Sequence, residues 1–165
     1  MVTEVFSLQI VCYCMWKQIL KTTIIAGFLD ITAACLQAWL AKSITPDIVL
    51  KYIASGVFGK DAFAGAAGFI LFGLLVHFLI VFACTIVYFL AYPKLKLLHK
   101  NILLSAIFVA VIAWAVTTQL IVPLSKIVPP PFHFTKAIIA IAILYCCIGL
   151  PVCFFAKRYF SKKEN

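Results

Sequence analysis

Four apolar runs, at 22–41, 66–92, 102–122 and 137–156, alternate along the chain with short polar or proline-bearing breaks. Each is long enough for a helix rising about 1.5 Å per residue to cross a hydrocarbon core of roughly 30 Å. A backbone inside lipid must satisfy its own hydrogen bonds, so runs of this kind fold as helices. The pattern predicts an all-α fold: an integral membrane bundle of four transmembrane helices forming a single domain.

The breaks carry their own signals. Thr45-Pro46-Asp47 supplies an N-cap residue, a proline at the first helical position and an acid in the first turn. A short helix is expected over 46–55, ending at Gly56. Ile48, Val49, Tyr52 and Ile53 make one side of it apolar against Asp47 and Lys51, as for a helix lying in the membrane interface. That places an interfacial helix in the first external loop. Pro93 and Pro123 are expected to end the second and third runs, and Pro129-Pro130-Pro131 to stiffen the next loop. Pro151 removes a backbone bond within the fourth run and should bend it. Residues 1–14 are apolar apart from Glu4. They read in two ways: as a segment that extends the first helix or lies in the interface, or as residues ahead of a biological start at Met15.

Polar residues inside the runs are few, and one is a carboxylate. A charge at the bilayer centre costs about 2.5–3.5 kcal/mol on insertion scales, so Asp30 needs a reason to be there. Thr23, Gly27, Asp30, Ala34 and Gln37 step by four, three, four and three residues and share one helix face. His77 falls at a similar depth on a helix running the opposite way, so an Asp30–His77 pair is geometrically available. Gln37 and Gln119, with Thr117 and Thr118, fall together nearer the other surface. Gly27 and Gly73 are the expected close-packing positions, and Pro151 the expected irregularity. The plainer reading of this set is interhelical hydrogen bonding, with Asp30 structural.

Composition narrows the class. Of 165 residues, 65% are hydrophobic and 12% charged, which no ordinary soluble domain matches. The net charge of +9 is not a nucleic-acid footprint, because the basic residues gather at the ends of the runs. Nine lie at one set of ends (Lys17, Lys21, Lys94, Lys96, Lys100, Lys157, Arg158, Lys162, Lys163) and five at the other (Lys42, Lys51, Lys60, Lys126, Lys136). The positive-inside rule then puts both termini in the cytoplasm. Trp16, Trp39, Tyr88, Tyr92 and Tyr159 fall near run ends, as an aromatic belt would. Five of the seven cysteines lie within apolar runs, where thiols behave as small hydrophobes, and Cys12-x-Cys14 is too little for a metal site. Walker, dinucleotide, zinc-protease and hydrolase-elbow motifs are absent, so neither an enzyme nor a cofactor is expected.

VHFLIVFACTIVYFLAYPKLKLL, followed by a run ending in VPLSKIVPPPF, resembles the YagU-type family of small bacterial inner-membrane proteins, over 76–132. The shared features are a histidine early in a span, an aromatic exit into YPKLK and a proline-containing loop after the next span. His77 occupies the histidine position. The resemblance implies a multi-span protein of the bacterial inner membrane and assigns no activity. The leading functional expectation is a small transport or channel-like protein with Asp30 and His77 as a protonatable pair. The alternative is a membrane scaffold that binds lipid or a partner. A homo-oligomer, most simply a dimer, is expected from the small-residue face of Gly65, Gly68 and Gly73.

Overall fold

The apolar runs become helices, and the details of where those helices start, stop and change pitch set the geometry of the interior. The structure, a computed structural model, describes residues 2–64, 67–95, 97–127 and 132–164. Its elements are α1 (Val2–Lys42), α2 (Pro46–Phe58), the single turn α3 (Asp61–Ala64), α4 (Gly68–Ala91) and the single turn α5 (Leu97–Lys100). Then come α6 (Ile102–Ala115), α7 (Val122–Leu124), α8 (Phe134–Leu144) and α9 (Leu150–Glu164). Tyr92–Lys94 forms a tight 3₁₀ turn, and no strand occurs among the described residues. The proline run, Gly65 and Ala66 lie outside the described residues.

Among the described residues, four stretches are long and apolar enough to cross a membrane: Tyr13–Lys42, Gly68–Lys94, Ile102–Leu124 and Phe134–Ser161. The first belongs to a continuous 41-residue helix that begins at Val2, so the N-terminal residues extend it. At about 1.5 Å per residue that helix is roughly 60 Å long, twice a hydrocarbon core. Ser43, at φ 53, ends it in the left-handed region, its N–H bonding the Trp39 carbonyl at 2.8 Å.

Helix α2 starts where expected, with Thr45 extended and Pro46 in the first turn, although the Thr45 side chain makes no cap bond. It ends later than expected. Gly56 stays helical, and Gly59, at φ 65, provides the stop. The Gly56 carbonyl, one of the helix's orphan acceptors, is met from another part of the chain by the Lys126 N–H at 3.0 Å. Outside the apolar stretches, the Thr45 hydroxyl beside Asp47 holds that carboxyl below its usual range.

Pro93 falls in the 3₁₀ turn that closes the second apolar helix, as expected, but Pro123 acts differently. Pro123 does not end the third helix, which continues to Leu124 after a π turn at Val116–Ile121. Pro151 follows a second π turn, Tyr145–Gly149. In both cases the residue before the proline bonds five residues back, Val122 to Thr117 and Leu150 to Tyr145. The wider turn accommodates a ring that would otherwise meet the carbonyl four residues earlier.

The fourth apolar helix lies against the first and the third, the first lies against the second, and α2 lies along α4. Packing is uneven along the bundle axis. A cluster including Ile19, Val81, Phe89, Ala106, Val152 and Ala156 fills the half nearest the lysine-rich loop and C-terminus, here the basic end. Towards the opposite, α2 end, residues 32–42, 116–124 and the whole of α8 have no fully buried side chain. Two glycines permit backbone-on-backbone contact. A Cβ at Gly149 would sit 2.5 Å from the Ala106 carbonyl oxygen, and one at Gly73 would strike the Leu50 carbonyl.

The expected aromatic belt holds only in part. Trp16 and Trp39 are exposed, but Tyr88 and Tyr92 are buried. The Tyr92 ring is stacked between His99, at 4.5 Å, and Phe160, at 5.0 Å, and its carbonyl is bonded by His99 Nε2 at 2.7 Å. These rings join the end of the second apolar helix to the basic loop and to α9, so packing at that end takes up the tyrosines.

Candidate functional site

Helices α1 and α4 meet at the site through one hydrogen bond and one ring. His77 Nε2 bonds the Gly27 carbonyl at 3.1 Å, and the imidazole is buried. A carbonyl can only accept, so Nε2 is the donor and carries a proton. Nδ1 is therefore the nitrogen left to gain or lose one. The neighbouring Phe78 ring covers Gly27, where a Cβ would lie 2.5 Å from the ring edge. Phe78 also packs edge-on against Phe28, at 5.2 Å, and against His77, at 5.6 Å. Glycine at 27 thus lets the two helices approach closely enough for the histidine to reach its backbone.

Asp30 follows Gly27 by one turn on the same face and is half-buried. Its carboxylate lies within electrostatic reach of the His77 imidazole, without a hydrogen bond or ion pair to it. Two thiols join this environment, Cys84 from α4 and Cys147 from the π turn before Pro151, both within electrostatic reach of Asp30. Among the described residues no three histidine, cysteine or acidic side chains are grouped so as to hold a metal ion. Chemically, the set offers a carboxyl and an imidazole that can each take or release a proton.

The other polar candidates are placed differently. Gln37 and Gln119 are exposed, and Thr118 is half-buried with its hydroxyl donating to the Trp114 carbonyl at 2.8 Å. The polar cluster expected near the α2 end is therefore not assembled. Thr23, Gly27 and Asp30 stay on the inward face. A straight helix, however, drifts about 20° per heptad, and Gln37 lies fourteen residues beyond Thr23. Gln119 falls inside the π turn, which shifts its phase. Cys84 was readable from the sequence, being seven residues after His77 and so on its face. Cys147 was not, because its position depends on the π turn.

Four helices long and apolar enough to cross a membrane, packed side by side among the described residues, fit a multi-pass membrane protein. Compared with protein-family models, curated proteins and solved structures, the chain matches none.

Proposed function

We propose that this is a small proton-coupled transport or channel-like protein, with Asp30 and His77 as its protonatable pair. The observation that supports this reading best is the His77–Gly27 hydrogen bond. It holds one imidazole nitrogen and leaves the other to exchange a proton beside a carboxylate that no salt bridge neutralises. The pair also stands where close packing gives way to the looser α2 half, a natural floor for a path opening at that end. Placement in a bacterial inner membrane rests on the YagU-type resemblance, and the cytoplasmic termini on the nine-to-five distribution of basic residues. Helix α2 lies at the external interface, and the working unit is a dimer.

The test is carboxyl titration by infrared difference spectroscopy in lipid. Wild type shows a titrating carboxyl band, and Asp30→Asn loses it while remaining folded and losing pH-dependent flux. His77→Gln, which cannot take up a proton, moves the midpoint of that band. A wild type without such a band, and an Asp30→Asn variant that behaves like its parent, would leave the scaffold reading instead.

Orientation is checked independently. Single cysteines at Ser43 and Lys126, both exposed, should react with an impermeant reagent added outside. Reaction only from the cytoplasmic side reverses the topology.

A further inference from the structure

Among the described residues, the packed half of the bundle contains two buried hydroxyls without a formed hydrogen bond, Thr23 Oγ1 and Tyr88 Oη. Leaving a buried hydroxyl unpaired costs about 1–3 kcal/mol, and bound water is the usual remedy. Both lie on the basic side of the Asp30–His77 level. Thr23 precedes Asp30 by seven residues on the same face, about 10 Å along the helix. Tyr88 follows His77 by eleven residues on the antiparallel helix, about 16 Å away.

Other buried hydroxyls line the same region. Thr22 donates to the Gln18 carbonyl and Thr85 to the Val81 carbonyl, each at 2.8 Å. Ser105 donates to the Leu98 carbonyl at 3.1 Å. Each has committed its proton to the backbone and keeps oxygen lone pairs that can accept from water. Tyr88 Oη has the Cys153 thiol and the Ser105 hydroxyl as polar neighbours within hydrogen-bonding influence, without a fully formed bond to either. One water there could accept from Tyr88 and donate to Ser105. Tyr88 belongs to one continuous core with Ile19 and Ala26 of α1, Val81 of α4 and Cys153 of α9, and Thr23 lies between Ile19 and Ala26 along α1.

We infer that water bound at Thr23 and Tyr88 completes a track of hydroxyls that carries protons between Asp30 and the basic end of the bundle. The inference rests on the reading of Asp30 as a protonatable group. In each hop a bound water, or the Thr23 or Tyr88 hydroxyl, accepts one proton and passes a different one onward, while the Thr22, Thr85 and Ser105 hydroxyls only accept from those waters and hold them in place. O–H bonds alone form and break, and the proton leaving Asp30 leaves its carboxylate behind. All five acidic residues are Glu4, Asp30, Asp47, Asp61 and Glu164, so Asp30 is the sole carboxylate within the four apolar stretches. With no acid between Asp30 and the basic end, the track suits protons rather than larger cations.

The test uses full-length protein oriented in liposomes, with a pH jump applied from one side at a time and the Asp30 carboxyl band followed in time. Thr23→Val and Tyr88→Phe remove the unpaired hydroxyls while nearly conserving volume. Each should slow the response to a jump from the basic side about tenfold or more, equivalent to about 1.4 kcal/mol of barrier, and leave the response from the α2 side unchanged. Confined-water bands that shift in H₂¹⁸O should be present in wild type and reduced in both variants. A titrating Asp30 with unchanged rates in both variants overturns the track alone. So does the absence of confined-water bands, in which case Tyr88→Phe should raise thermal stability by removing an unsatisfied group. No titrating Asp30 band in wild type overturns the reading of the site, and the conducting role with it.

Discussion

Gly73→Val is expected to unseat α2 from the bundle. The Leu50 carbonyl occupies the space where a Cβ would be built on Gly73, and a backbone atom, unlike a ring or a flexible chain, cannot rotate away. The two helices must separate, exposing Ala54 and Ser55, which α2 now buries. The Lys126–Gly56 bond should weaken with them. Overpacking of this kind costs about 1–3 kcal/mol, and backbone contact puts the expected loss at the upper end. Thermal unfolding in mild detergent should show a lower midpoint, and limited proteolysis should cut faster within Pro46–Phe58. Gly68→Ala is the control, because nothing lies within 4 Å of a Cβ there. A Gly73→Val protein with parental melting and parental proteolysis would mean that α2 does not rest on α4.

Gly149→Val should have an effect at least as large, but global rather than local. A Cβ at this position would lie 2.5 Å from the Ala106 oxygen and 3.2 and 3.3 Å from its carbonyl carbon and Cα. Ala106, Ile148 and Val152 belong to the main buried cluster, so the third and fourth helices can move apart only by opening it. The expected outcome is a loss of about 3 kcal/mol or more, seen as a single lower unfolding transition. Gly27→Ala is the useful contrast. Its Cβ would meet the Phe78 ring, a side chain that can turn, so a smaller loss is expected together with a disturbed His77–Gly27 bond.

These two glycines also show what the sequence could and could not reveal. The four helices were legible because their runs are long, and the start of α2 because Thr45-Pro46 is a local signal. Gly73 was legible as a packing residue, but its partner is a carbonyl twenty-three residues away, which no local pattern names. Gly56 and Gly59 compete as helix stops, and tertiary contact with residues 125–127 decides between them. The facing of Asp30 and His77 could be read from depth and direction. The nitrogen that His77 commits, and the absence of a salt bridge, could not. Tyr88 and Tyr92 were misplaced for a physical reason: near a span end a tyrosine suits the interface, but Tyr92 stacks between His99 and Phe160 and Tyr88 is buried in the core against Tyr92.

The wide turns ahead of Pro123 and Pro151 store slack. A π turn takes one residue more than the α turn it replaces, so each of these two neighbouring helices holds a spare residue partway along its length. Winding that residue back into α pitch would advance everything on one side of the turn by about 1.5 Å and swivel it by about 100°. No chain need be broken and no loop lengthened. The second helix has no such turn among the described residues, so it holds no spare residue to release. Cys147 lies within one of these turns, so the same screw motion that re-aims the ends of the third and fourth helices would carry a thiol past Asp30.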